Sequence, residues 1–311
     1  MRFSKILTLS FLAALTGLIS CNPDTVVTDG GGGGDSASNT STKRTNLTIL
    51  LDLSNRINAR FGQDTQQNRD VAVVKAASTW FKANMEKQGA LKAKDRYAIY
   101  FEPQPQMDAN LDQVARSLQV DLGKPEMDPK AKKEVYNNLV AQTTAGVERL
   151  YEFVKQQPQD GADLWGFAKE KMAARCIMDT TKYRNVLIVV TDGYLDHVRN
   201  RSIRDGNKAA FFNDTYIQDE LVKKGQFTAA NWSAKYEAGK YGLLVPPGTN
   251  LKGLDVLVLE INTYSRPPFY ADIVKRYVTD WFKAMGASRV EVRATDVPTY
   301  TEENVKAFLQ Q

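Results

Sequence analysis

Three short apolar runs constrain this chain more than anything else in it. Leu47–Asp52 (LTILLD), Asn185–Thr191 (NVLIVVT) and Leu254–Ile261 (LDVLVLEI) are nearly continuous in Leu, Ile and Val. A strand with one wet face alternates apolar with polar residues, so a run without alternation belongs to a strand covered on both faces. Helical patterns lie between the runs. Val71, Val74, Ser78, Phe81 and Met85 recur at helical spacing, and Pro129 to Gln156 carries Val135, Leu139, Val147, Leu150 and Val154 on one side. Asp163 is placed to cap a helix through Ala173. Pro268 to Met285 turns Ile273, Tyr277, Trp281 and Phe282 inward and stops at Gly286. Further strands are expected at Asp95 to Phe101, Arg289 to Arg293 and, as a short edge, Gln119 to Leu122; a last helix is expected at Glu302 to Leu309. Strands alternating with helices predict an α/β, Rossmann-like fold: a mostly parallel central sheet with helices on both faces.

Residues 193–253 do not fit a minimal strand–helix unit. They carry Phe211, Phe212, Tyr216, Trp232, Tyr236, Tyr241 and Pro246-Pro247. They read as a long excursion leaving the carboxyl end of the strongest strand.

The first residues read as a targeting segment. Arg2 and Lys5 precede an apolar stretch, Ile6 to Ile19, that has the length of a signal core and is too short to span a bilayer. It ends in Leu18-Ile19-Ser20-Cys21, which resembles the bacterial lipobox, so residues 1–21 are expected to be a lipoprotein leader with Cys21 as the lipidated residue. An ordinary signal peptide is the alternative. Asn22 after Cys21 fits sorting to the outer membrane by the enterobacterial pattern. Residues 22–45, with Gly30 to Gly34 followed by Asp35, Ser and Thr, read as a flexible linker. No Gly-Lys-Ser/Thr follows the glycines, so they are not a phosphate loop. The body, 46–311, is then expected to be anchored to the membrane by acyl chains without spanning it.

Hydrophobic residues make up 42% and charged residues 25%, enough for a core beneath a charged surface. The formal charge of +5 falls to +3 once Arg2 and Lys5 are cut away. The basic residues are scattered, and nucleic-acid binding is not expected. With Cys21 lipidated, Cys176 is a lone thiol beside Met172 on a helical face, which reads as a small buried hydrophobe.

Two strands end in clusters of acid and hydroxyl groups: Asp52-Leu53-Ser54-Asn55-Arg56 and Thr191-Asp192-Gly193. Ligands of open parallel sheets bind at strand carboxyl ends where the winding reverses. If these two strands are neighbours there, Asp52, Ser54 and Asp192 converge as oxygen ligands suited to Mg²⁺, Ca²⁺ or Mn²⁺. The plainer alternative is a strand-end aspartate, a helix-capping serine and a turn.

A first strand ending in Asp-x-Ser-x-Ser and a later one ending in Thr-Asp-Gly mark the von Willebrand factor A domain, and residues 45–311 resemble it. The resemblance implies a Rossmann-like sheet with a metal-ion-dependent adhesion site on top, where a bound cation completes its coordination with an acidic group of a protein partner. Asp52, Ser54 and Asp192 match the family's metal ligands. Arg56 stands where the second serine belongs. Asp163 falls where a threonine opens a middle helix; Thr143 and Thr144 lie inside a long helix instead. Two arrangements stay open. Arg56 pairs with Asp163 beside a retained cation, or its guanidinium takes the cation's place.

The resemblance therefore implies a binding, adhesion or assembly module of the cell envelope, meeting a protein partner through the carboxyl-end face. Tyr194 and Asp196 are candidate rim residues. His197, the only histidine, is expected to be an exposed loop residue. Catalysis is not expected. A phosphatase of the haloacid dehalogenase type would need a second Asp where Ser54 stands, and no nucleophile-elbow motif or dinucleotide fingerprint is present.

Overall fold

A computed structural model describes residues 43–61, 64–103, 109–157, 161–294 and 298–311. The three apolar runs form the middle of one six-stranded sheet. Its strands are β1 (Arg44–Asp52), β2 (Arg96–Glu102), β3 (Gln119–Asp121), β4 (Tyr183–Val190), β5 (Leu254–Ile261) and β6 (Arg289–Ala294), ordered β6-β5-β4-β1-β2-β3. Every pairing is parallel except that of β2 with the short edge strand β3. Chain order runs one way from β1 to β3, then crosses back to β4 on the other side of β1. The winding therefore reverses between β1 and β4. The register brings their carboxyl ends level, with Leu51 opposite Val190 and Asp52 opposite Glu102.

Both faces are covered, which is why β1 shows no alternation. Leu47, Ile49 and Leu51 pack on the side of α1 (Gln66–Lys87), α2 (Ala109–Ser117), α3 (Pro129–Val154) and α6 (Pro298–Gln310). Leu50 packs on the other side with α4 and α5 (Pro268–Ala284). Helix α4 runs as Leu164–Phe167, a π-helical stretch Ala168–Met172, and Ala173–Cys176. The cap expected at Asp163 is present, and Asp128 supplies another. Asp128 accepts from Ala131 N at 2.7 Å ahead of Pro129 at the first helical position, and Asp163 accepts from Gly166 N at 2.8 Å. Ile273, Tyr277, Trp281 and Phe282 of α5 are buried as expected, and so is Cys176. Burial pushes the Cys176 thiol up to about 12, so it remains a neutral core group.

The excursion belongs to the second face. Phe212 stacks on Tyr277 of α5 with ring centroids 4.3 Å apart, and Tyr236 meets Tyr277 edge-on. The indoles of Trp165 and Trp281 both donate to Leu244 O, at 2.8 and 3.1 Å. Inside it lie a small three-stranded sheet (Arg204–Asp205, Lys208–Ala209, Gly242–Leu243) and helical segments at Asp214–Tyr216, Ile217–Lys224 and Trp232–Ala238.

Some bounds differ from expectation. Strand β1 begins at Arg44, so the linker of 22–45 gives way to the body two residues early. Helix α1 begins at Gln66, a turn before its apolar pattern, because Gln66, Arg69 and Asp70 are buried polar residues that periodicity cannot register. Helix α2 was not anticipated. Cys21 and the leader lie outside the described residues. Among the described residues no helix is long and apolar enough to cross a membrane.

Candidate functional site at the sheet's carboxyl edge

Asp52, the last residue of β1, is buried, and both its oxygens are used. Oδ1 accepts from Ser54 N at 2.9 Å, a local turn that bends the chain off the strand. Oδ2 accepts from Thr191 Oγ1 at 2.7 Å, which ties the end of β1 to the segment after β4. Ser54 precedes the short 3₁₀ turn Asn55–Asn58 without capping it through its side chain.

That turn carries Arg56 inward. Its guanidinium, 0% exposed, stands 3.6 Å from Asp52 Oδ2 and 2.7 Å from Asp70 Oδ2. Nε donates to Asp52 O at 3.0 Å, and Nη2 donates to Asp70 Oδ2 and, at 2.9 Å, to Val190 O. Nη1 is buried without a hydrogen-bond partner among the described residues. Burial opposes the guanidinium's charge, but Asp70 and Asp52 outweigh it and hold Arg56 above its ordinary value. Asp70 comes from the first turn of α1. It also accepts from Gln66 Nε2 at 2.8 Å and from the Tyr151 hydroxyl. Burial lifts the Asp70 carboxyl, against the pull of Arg56, Tyr151 and Gln66. Gln66 reaches on to Glu260, a buried residue at the end of β5 that also accepts from Thr301 Oγ1 at 3.3 Å.

Asp192 follows β4 and is 6% exposed. Its Oδ1 accepts from Tyr194 N and its Oδ2 from Tyr264 OH, both at 3.1 Å. Burial and the nearby charge of Asp52 push its carboxyl up to about 7, against the pull of Arg56. The glycine after it is required. Gly193 has φ +92°, and a Cβ there would lie 2.5 Å from Val274 Cγ1.

Asp163 does not pair with Arg56. Its Oδ1 accepts from Gly166 N and from Asn200 Nδ2 at 2.6 Å, and its Oδ2 lies 3.8 Å from His197 Nδ1. As a helix cap it is turned toward the 196–200 loop, and Arg56 finds Asp70 instead. His197 is correspondingly held against Asp163, with its side chain 14% exposed, and is not the free loop residue expected. Gly161 permits this approach: with φ +84°, a Cβ would collide with Asp196 O at 1.7 Å. Thr143 and Thr144 lie within α3, and Thr143 donates to Leu139 O.

A cleft of about 880 Å³ opens over this edge. Ser54, Arg56, Asp192, Tyr194 and Asp196 all line it; Asp52 and Asp163 do not. Val198 and Tyr264, 61% and 41% exposed, flank the opening. Glu260, Tyr264 and Ser265 hold positive φ values of 72°, 44° and 70° along the end of β5 and the loop after it. Such backbone is costly for residues with a Cβ and gathers at functional sites. Sequence reasoning missed Asp70, Tyr151, Glu260 and Tyr264. The Asn-Thr-Tyr-Ser-Arg-Pro-Pro loop after β5 was the one available signal, and it marks a turn without showing where Tyr264 points.

Among the described residues, no group of three or more His, Cys, Asp or Glu gathers in a way that could hold a metal ion. Of the four expected ligands, Asp52 is hydrogen-bonded to Ser54 N and Thr191 with a guanidinium against it, and Asp163 to Gly166 N and Asn200, while Ser54 and Asp192 line the cleft.

No family model matches the chain, and no curated protein does. Among solved structures it is similar to the pilus adhesin SpaC of Lactobacillus rhamnosus GG in two crystal structures, one of them an open conformation. Each is 10% identical with a TM-score of 0.38, over 87% of this chain. The chain spans about a third of that protein's length, 31% and 30%. A likeness of that size leaves the reading of this chain to its own residues.

Proposed function

We propose that the chain is a von Willebrand A-like binding module, tethered to the cell envelope by lipid on Cys21, that docks a protein partner on the carboxyl-end face of its sheet. The Arg56 guanidinium stands in for the divalent cation of the family's adhesion site. The observation that carries this reading is the placement of Arg56. It is fully buried where the winding reverses, between Asp52 and Asp70, with Asp192 across from it at the cleft. A fixed cation there balances the carboxylates as a metal would, and it occupies the space of the second serine. Asp52, Ser54 and Asp192 keep the family's positions, while Asp163 serves as a helix cap. The exposed Val198 and Tyr264 beside a positive-φ loop suit a docking surface. Ser54, where a phosphohydrolase of this architecture would need a general acid, supports binding over catalysis.

The test is site-specific photo-crosslinking in intact cells of the source organism. A photoreactive residue at Val198 is expected to capture a discrete protein. One at Leu91, an exposed apolar residue near the amino end of β2, is expected to capture none. Capture at Leu91 alone would contradict the docking face. Labelled fatty acid should enter the wild type and not Cys21→Ala; equal labelling would contradict the tether.

A further inference from the structure

This inference rests on the lipid tether proposed above and names the surface the body lies against. Parallel pairing gathers the segments that enter β1, β2, β4, β5 and β6 along one edge of the sheet, opposite the cleft. Those segments are rich in lysine. Lys43 precedes β1, Lys87 ends α1, Lys92 and Lys94 lead into β2, Lys252 precedes β5, and Lys283 lies in the last turn of α5 before β6. All six are exposed, and among the described residues none has a carboxylate within ion-pair distance. The acids beside them are engaged. Asp179 is held by Lys182 at 3.2 Å, Glu86 accepts from the Tyr136 hydroxyl at 2.8 Å, and Asp95 is buried on Thr45 N. At the cleft edge, by contrast, the exposed Arg201 and Arg266 are paired with Asp196 and Asp214. A second observation is independent of charge. Leu91, 50% exposed, stands in the loop between Lys87 and Lys92. An apolar tip among ammonium groups suits a bilayer interface, where the tip enters the headgroup layer and the lysines stay at its surface.

We infer that this amino edge lies against an anionic phospholipid surface, with Leu91 in the headgroup layer and the six lysines on lipid phosphates. Clusters of about four to eight basic side chains beside a membrane anchor hold anionic lipid in this way. The anchor alone does not set the orientation. A chain of the 21 residues between Cys21 and Lys43 spans at most about 75 Å, against about 30 Å for the nine residues of β1. Either edge is within reach of the bilayer, and the lysines select one. With the amino edge down, the cleft opens away from the bilayer and toward its partner.

The purified full chain, carrying a bimane probe at Leu91→Cys or at Val198→Cys, is mixed with vesicles that hold a lipid-borne quencher. Cys176 is buried and stays unlabelled. Vesicles of phosphatidylcholine alone are compared with vesicles that include phosphatidylglycerol. The probe at 91 is expected to be quenched on the anionic vesicles only, and the probe at 198 on neither. Lys87→Gln with Lys92→Gln and Lys94→Gln, all at exposed positions, should lower the quenched fraction at least about tenfold. Salt at about 1 M, which shortens screening to about 3 Å, should do the same. Equal quenching at the two positions, or quenching at 91 that ignores lipid charge, would overturn the inference. Flotation with neutral vesicles reads the tether separately. A chain that floats only with anionic vesicles, quenched at 91, refutes the acyl anchor and leaves the inference standing. One that floats with neither overturns both.

Discussion

On the α1 side of the sheet's carboxyl edge, Asp70 takes donors from Arg56, Gln66 and Tyr151: the guanidinium supplies the opposite charge, and the amide and hydroxyl point at the carboxylate. Across β1, on the excursion side, Asp192 meets neutral donors alone among the described residues and lines an open cleft. Asp70 meets the guanidinium at ion-pair distance, whereas Asp192 is held by a backbone amide and a hydroxyl. Burial makes an incomplete ion set expensive. The difference separates what holds the edge together from what it presents.

The largest effect should come from opening the closed side. Arg56→Ala strands two buried carboxylates and is expected to cost about 3–5 kcal/mol in denaturant unfolding. The pair Arg56→Met with Asp70→Leu should recover most of that loss, because an apolar replacement removes the charges together. No recovery would mean that Arg56 acts through something other than Asp70. Phe212→Ala should cost a similar amount, about 3–5 kcal/mol, by emptying the stack on Tyr277, with no dependence on salt. Tyr151→Phe deletes one donor to a charged acceptor and should cost about 1.5–3 kcal/mol. An unchanged unfolding midpoint would show that the hydroxyl does not support Asp70.

The open side shows itself instead in its pH dependence. Asp192 sits at about 7 against an ordinary 3.8, so the folded chain binds this proton more tightly than the unfolded one. Its contribution to stability is therefore full below about pH 4 and declines as pH rises to about 7. Asp192→Asn should gain on the wild type by about 4 kcal/mol between pH 4 and pH 8, the size of a shift from 3.8 to about 7. Parallel stability curves for the two proteins would place Asp192 in an ordinary, compensated setting.

Much of this architecture could be read from the chain because its signals are local. Leu47–Asp52 and Asn185–Thr191 announce buried strands by composition alone, Asp163 announces a helix start, and Ile273 with Tyr277 and Trp281 announces an inward stripe. The strand-end positions of Asp52 and Asp192 follow from those runs. The partner of Arg56 does not. Asp70 lies 14 residues away in a polar first turn that hydropathy reads as solvated, and Val190 lies 134 residues away. Tyr264 comes to Asp192 across 72 residues through a loop whose positive-φ residues are not glycines. Long-range polar closure leaves no periodicity, which is why the sequence allowed Asp163 as the partner and the fold uses Asp70.

The central claim is that Arg56 occupies the place of a divalent cation, and thermal unfolding with Mg²⁺, Ca²⁺ and Mn²⁺ tests it most directly. A native-state site filled about a hundredfold over its dissociation constant would add about 2.7 kcal/mol, or about 5 °C or more in melting temperature. The wild type is expected to show no such rise with any of the three ions. A rise of that size, abolished by Asp52→Ala, would contradict the account.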